Sequence, residues 1–476
     1  MTRRAVAEPL SRDTWAITLA ALVSRLAVVA WAASRFPPAG DGQYYDIVAR
    51  RIAQGLGYTW SWPDGSVTYA AHYPVGYPGL LGILYAIGGP NPVSAMLVNA
   101  LAGTFIVLSV HRVAVRFASR KIALTAALVA LLHPTLLFYV PAMMTELVSA
   151  ALLIGATALA VSQPRTRARF WLTTVAIGGV LGGATLVRPQ QILFAPLIGA
   201  LAAYFAWPSF EPSERRDSRR VKRILGSATL VTSLCVCVCL PWTVRNCNRM
   251  GSCALVSVNA GWNLLIGTSS KGNGAWTSVD SVGVPAACRL VFAEAAKDAC
   301  FGRAARDQIL HQPLAWVRLM PAKLERTFDD IGAPGWYLNA SDWHHFDERA
   351  KFALGVAEVL YQRLATIATL IGLARVRGRG VCFRRCIVIA AILCQLYTTA
   401  WLGILLACLG TFSLGRRLLD EPLLMLFAVA YGSTALVHCT FFGGARYAIV
   451  VIPYMVVATT RAWSSGQREP LIEVAH

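Results

Sequence analysis

The run TWAITLAALVSRLAVVAW, residues 14–31, carries a single charge, Arg25, and is long enough to cross a lipid hydrocarbon core as a helix. Arg3, Arg4 and Arg12 precede it, and no small-residue cleavage site follows, which predicts a retained anchor rather than a removed leader. The basic leader predicts a cytoplasmic N-terminus and an outer-face position for what comes next. That next stretch begins Asp41-Gly42-Gln43-Tyr44-Tyr45-Asp46 and ends His72-Tyr73-Pro74-Val75-Gly76-Tyr77-Pro78. A carboxylate at the mouth of an apolar helix is costly to place, so Asp41 is a functional candidate on physical grounds alone.

Working outward, the same apolar character recurs along the chain. Hydrophobic residues make up 56% and charged residues 14%, against roughly 25% charged in soluble domains. The chain therefore reads as an all-α polytopic membrane protein. Its formal charge of +20 does not imply nucleic acid, because the arginines cluster in short loops between apolar runs, where topology explains them. Further spans are predicted near 92–112, 122–139, 143–162, 171–187, 190–207, 224–242, 352–374, 421–440 and 446–461, with 386–414 read as a tight hairpin. The total is about eleven or twelve, the signature of a large helical bundle. Residues 77–87 are too short to span and predict an interfacial helix. Basic loops at Arg112, Arg116, Arg120 and Lys121, at Arg165, Arg167 and Arg169, and at 215–223 alternate with loops near Val140 and Val187 that carry almost no Lys or Arg. This division gives an N-terminal transmembrane module over 1–244, with an outer-face loop at 35–90. An extracytoplasmic lid follows over 245–350, then C-terminal spans over 351–462 and a cytoplasmic tail over 463–476. The expected home is the inner (cytoplasmic) membrane.

Eight of the twelve cysteines fall in or beside predicted spans, where a thiol behaves as a small hydrophobe. Cys235-Val236-Cys237-Val238-Cys239 scatters its sulfurs around a helix axis and makes no metal site. Cys247, Cys253, Cys288 and Cys300 lie in the long hydrophilic loop, and an oxidising compartment would let them pair as Cys247–Cys253 and Cys288–Cys300. His344 and His345, beside Asp342 and Asp347, point in different directions and read as a solvated loop. Neither a phosphate-binding Walker loop nor an outer-face Asp-x-Asp motif is present, which favours a lipid-linked substrate over a nucleotide-linked one.

Several motifs, taken in order, carry a family resemblance. Asp41 soon after the first span, then Tyr45, Ala49, Gly55 and Gly57, then Tyr73-Pro74-Val75-Gly76-Tyr77-Pro78, resemble bacterial relatives of the protein O-mannosyltransferases. These are GT-C glycosyltransferases, a group that includes the aminoarabinose transferase acting on lipid A. Met144-Thr145-Glu146, Leu186-Val187-Arg188-Pro189, Pro241-Trp242-Thr243-Val244-Arg245-Asn246, the stretch from Gly261 to Gly267 and Ala445-Arg446-Tyr447 agree in order. The likeness covers most of the first 270 residues and the C-terminal end. His72 departs from it, standing where many relatives have Arg, and its role stays open.

The resemblance implies a GT-C-like fold and an enzyme that takes a sugar from a polyprenyl-phosphate donor on the outer face. The sugar would pass to an acceptor hydroxyl of a glycan, lipid or protein, with inversion. Such chemistry needs one carboxylate to accept a proton and cations to hold the leaving phosphate. Asp41 is the expected base, with the alternative that Asp-Gly is merely a turn. The substrate-binding candidates are Tyr45, Asp46, His72, Tyr73, Glu146, Arg188, Arg245, Lys271, Arg446 and Tyr447. Asp46 also reads as a helix cap, and the arginines as headgroup-snorkelling side chains. Asp64 reads as a turn residue. No cofactor is firmly implied, although a divalent metal is compatible with the reaction. A transporter or flippase is the competing class, but it would gather polar residues near the bilayer midplane. A scaffold, or an enzyme using a diphosphate-linked donor, are further alternatives.

Overall fold

The computed structural model describes residues 11–162, 164, 166–206, 216–269, 273–278, 282–329, 332–377, 380–397 and 399–463. It is a multi-pass helical bundle with an added helical loop unit. Helix α1 (Arg12–Ala32) starts at Ser11, whose hydroxyl accepts from the Thr14 amide at 3.3 Å. After it come α2 (Asp41–Ala53), the strands β1 (Thr59–Ser61) and β2 (Val67–Tyr69), and α3 (Gly76–Gly88). The N-terminal bundle continues through α4 (Val93–Phe117), α5 (Arg120–Leu132), α6 (Pro134–Phe138), α7 (Glu146–Ala160) and α8 (Arg167–Val187). A 3-10 turn over Pro189–Phe194 leads into α9 (Ala195–Ala206), and α10 (Arg216–Met250) completes it.

Arg25 in the first helix and Glu358 in the helix Glu348–Ala374 are charges buried midway along their helices. Pro134 has no N–H to donate, so the helix breaks there and leaves carbonyls near the end of α5 without their usual partners. Arg25, fully buried on α1, donates to Leu131 O at 3.1 Å and Ala130 O at 3.4 Å and so fills that gap. Gly103 on α4 makes room for it: a Cβ there would lie 3.2 Å from Arg25 Nε. Glu358, also fully buried, accepts from the Thr135 hydroxyl at 2.8 Å just beyond the same break. A buried polar group is tolerated when it is hydrogen-bonded.

Helix α10 runs through Pro241 to Met250, past the span end expected at 242 and the loop expected from 245. Gly178 and Gly182 on α8 form its seat: added Cβ atoms would fall 2.6 Å from Leu234 and 2.5 Å from Val238. Cys235 contacts the Thr185 hydroxyl at 3.3 Å and stays a free thiol within this packing.

The segment expected as a lid is itself folded. It holds α11 (Ala260–Thr268), α12 (Ala286–Arg289), α13 (Glu294–His311), α14 (Pro313–Arg318), α15 (Met320–Phe328) and α16 (Ala333–Ser341). Disulfides join Cys247 to Cys253 and Cys288 to Cys300, the pairing expected from their placement. At Asp342 one carboxylate oxygen accepts from the His344 and His345 amides and the other contacts His345 Nδ1 at 2.9 Å, a local turn.

The C-terminal helices are α17 (Glu348–Ala374), α18 (Val381–Leu396), α19 (Ala400–Phe412), α20 (Pro422–Thr440), α21 (Ala445–Ala448) and α22 (Ile452–Trp463). Helices α18 and α19 form the tight hairpin: Gly403 faces Ala391 and Gln395, while Gly410 faces Ile387, so the two run antiparallel. Among the described residues, seven segments are long and apolar enough to cross a membrane: α1, α4, α8, the Pro189–Ala206 run, α10, α17 and α20. The other expected spans appear as shorter or interrupted helices, namely α5 with α6, α7, α18, α19, and α21 with α22.

Candidate functional site

Asp41 is the first residue of α2, entered through Gly40 at φ 54°, a left-handed conformation that glycine adopts without strain. The next residue must also be small. A Cβ on Gly42 would lie 3.0 Å from Met143 O and 2.9 Å from the Tyr337 hydroxyl oxygen. That hydroxyl accepts from the Ala39 and Met143 amides, each at 3.1 Å, and so ties the entry of α2 to the turn before α7. The Asp-Gly pair is thus a close-approach device, with the carboxylate left facing the space beside α21.

There Asp41 meets residues from distant parts of the chain. Its Oδ1 accepts from the Tyr73 hydroxyl at 2.8 Å and its Oδ2 from Arg446 Nη1 at 2.6 Å. Arg446 Nε also lies 3.8 Å from Glu146 Oε1, so one guanidinium spans both carboxylates. Glu146, 1% exposed, accepts from Arg188 Nη1 at 2.8 Å and from the Tyr139 hydroxyl at 3.3 Å. Arg188 donates in addition to the Thr145 hydroxyl at 3.1 Å. Tyr447 lies within reach of both guanidiniums, 5.3 Å from Arg188 and 5.2 Å from Arg446, and stacks on His438 at 4.1 Å. Two carboxylates, two guanidiniums and an aromatic wall therefore share one partly open spot, with Asp41 24% and Arg446 30% exposed at the side chain.

Electrostatics sets the charge state of Asp41. Burial pushes its carboxyl up, but the charge and hydrogen bond of Arg446, with the Tyr73 hydroxyl, outweigh this and hold it below the usual carboxylate range. His72 beside it is pushed down to about 4 by burial, so its imidazole is neutral at physiological pH. Its ring packs edge-on against Tyr73 at 4.8 Å and Trp262 at 5.3 Å. The ring thus packs within an aromatic wall.

Of the residues singled out in the sequence, Asp41, Tyr73, Glu146, Arg188, Arg446 and Tyr447 converge, while Tyr45 packs behind them on Tyr73 and Tyr77. Asp46 turns away and accepts from Arg50 Nε and the Tyr85 hydroxyl, each at 2.7 Å. Arg245 donates to Tyr58 O at 2.7 Å and Ala70 O at 2.8 Å, clasping the ends of the β1–β2 hairpin. Lys271 lies outside the described residues. Sequence reading missed Tyr139 and Tyr337, and it missed Glu294 in the loop unit. The Glu294 carboxylate accepts from the Ala71 and His72 amides at 2.7 and 3.1 Å and fixes the backbone leading to Tyr73. Burial raises its pKa above the usual range. Nothing local marks Tyr337 or Glu294, since their partners are far away in sequence, whereas Tyr139 lies seven residues before its partner Glu146.

Among the described residues no three His, Cys, Asp or Glu side chains gather as a metal-holding group. The two carboxylates here are already matched by guanidiniums, so this donor set does not fit a divalent ion.

Comparison with known proteins bears on the class. Residues 72–242 match the family model described as dolichyl-phosphate-mannose-protein mannosyltransferase. The match takes in His72, Tyr73, Glu146 and Arg188 and leaves Asp41 and Arg446 outside it. The GT-C resemblance drawn from the motifs is thereby supported over that stretch. No curated protein matches the chain. Among solved structures, it is similar to the oligosaccharyltransferase AglB of Archaeoglobus fulgidus, solved with an inhibitory peptide and a dolichol-phosphate. That likeness has 13% identity and a TM-score of 0.45, and covers 95% of this chain and 50% of that one. It is also similar to ArnT of Cupriavidus metallidurans bound to undecaprenyl phosphate, with 16% identity, 94% and 78% coverage and a TM-score of 0.40. The chain thus spans about half the length of AglB.

Proposed function

We propose that this protein is an integral membrane glycosyltransferase that moves a sugar from a polyprenyl-phosphate donor to an acceptor hydroxyl on the outer face of the membrane. The observation that carries the reading is the pairing of Asp41 with Arg446 beside Glu146, Arg188 and Tyr447. In the reaction the acceptor oxygen attacks the anomeric carbon as Asp41 takes its proton. The bond from that carbon to the phosphate oxygen breaks, and the electron pair leaves on the phosphate. Attack opposite the leaving group inverts the anomeric centre.

Each Asp41 oxygen accepts one hydrogen bond in the resting site, and a carboxylate offers about four lone-pair positions in all, so an acceptor hydroxyl still has a place to bind. Arg446 and Arg188 are the groups suited to the phosphate, since a guanidinium fork matches phosphate oxygens bidentately. Glu146 holds both arginines in place.

The test is a transfer assay with purified protein, a panel of polyprenyl-phosphate sugars and membrane-extract acceptors. The expected result is incorporation from one donor, with a glycosidic linkage of opposite anomeric configuration. Retention of configuration, or no incorporation from any polyprenyl monophosphate while a diphosphate-linked donor is consumed, would overturn it.

A further inference from the structure

A second cleft lies in the loop unit, away from the charged cluster. Its volume is about 440 Å³, within the roughly 300–1,000 Å³ range typical of small-molecule sites. Thr268 at the end of α11, Asp307, Gln308 and His311 on α13, Gln312, and Trp316 on α14 line it. The Thr268 hydroxyl contacts Gln308 Oε1 at 2.5 Å. His311 Nδ1 lies 2.7 Å from Asp307 O and donates to it, which leaves Nε2 as an acceptor. The Trp316 ring is backed by the Lys323 ammonium, 5.3 Å from its centroid.

We propose that this cleft is a saccharide subsite that seats the acceptor, making the acceptor of the reaction above a glycan; the inference rests on that functional reading. The chemistry of the lining argues for it. A carboxylate, two carboxamides, a hydroxyl and an imidazole acceptor can pair with the vicinal hydroxyls of a sugar ring, and an indole matches its apolar C–H face. A lipid tail would find too many polar atoms here.

Position argues for it too. Gly267, next to Thr268, packs on the Phe441 backbone, where an added Cβ would clash with the carbonyl. Lys323, behind Trp316, donates to Cys439 O at 3.1 Å and Thr440 O at 3.3 Å. The Phe441–Tyr447 turn that begins there carries Arg446. Residues beside the cleft therefore brace the turn that carries Arg446.

Saturation-transfer NMR on the full-length protein in nanodiscs tests the assignment. The probes are methyl mannoside, galactoside, glucoside and arabinoside, their disaccharides, and a Ser/Thr-containing decapeptide. At least one saccharide is expected to give signal, and Trp316→Ala is expected to weaken it about tenfold or more, the usual effect of losing an aromatic anchor. A Gln312→Ala/Asp307→Asn variant on the exposed rim should weaken it as well, even if Trp316→Ala fails to fold. No saccharide signal, signal from the peptide alone, or a signal indifferent to the cleft variants would each overturn the proposal. Because the readout is binding and not transfer, any of these outcomes leaves the donor chemistry to its own assay.

Discussion

Asp41 stays ionised because Arg446 and Tyr73 offset a burial that would otherwise favour the protonated acid. A base must be deprotonated to act, so the acid limb of transfer should lie below the ordinary carboxylate value of about 3.8. In Arg446→Met the largest opposition to burial is gone, so the acid limb of the residual activity should move to higher pH; a limb in the same place would remove Arg446 from the account. Glu146 and Arg188 make a prediction about stability. Both are nearly buried, and removing one partner of a buried pair costs about 3–5 kcal/mol. Arg188→Met should therefore lower the melting temperature in detergent, and adding Glu146→Leu should restore part of the loss, a coupling that a double-mutant cycle reads directly. Asp41, Arg188 and Arg446 were legible in the sequence because a charge beside an apolar run is visible locally. Their pairing was not: the Asp41–Arg446 bond joins residues 405 apart. Asp46 and Arg245 were weaker candidates in the sequence, and the structure shows their partners, the Tyr85 hydroxyl with Arg50 and two hairpin carbonyls.

At the scale of elements, the apolar runs translated into helices with small shifts at the ends. The departures have chemical causes. The short strands β1 and β2 were invisible because three-residue strands show no usable alternation, although the turn between them was read: Asp64 Oδ1 accepts from the Ser66 amide at 2.9 Å and Gly65 sits at φ 83°. The α5–α6 break rests on Pro134, and Arg25 covers the carbonyls near it. Arg25→Leu should destabilise the bundle by roughly 1–3 kcal/mol, the cost of leaving buried polar groups unpaired; an unchanged denaturation midpoint in micelles would contradict this. The loop unit depends on Cys288–Cys300, which ties α12 to the α13 segment bearing Glu294. Cys288→Ser/Cys300→Ser should cost about 2–4 kcal/mol and raise protease sensitivity within residues 282–312, with the bundle still intact. Equal proteolysis of both proteins would show that the unit is held by packing alone.

Over the whole molecule, the bundle brings chain ends together: the start of α2 and the turn before α22 build one site, while the loop unit braces both through Glu294 and Lys323. Composition and basic-loop alternation made the multi-pass class legible early. The loop unit was legible only as a polar stretch, since its six short helices carry no long apolar period. The central claim is that Asp41 accepts the acceptor's proton, and a general base of this kind contributes about 10²–10⁴-fold to rate. The most direct measurement compares single-turnover sugar transfer by wild type and Asp41→Asn, alongside their affinities for the polyprenyl-phosphate product. The account predicts a rate lower by about 10³-fold with product affinity kept or tightened, because Arg446 is freed from its carboxylate partner. Equal rates in the two proteins, at equal donor occupancy, would contradict it.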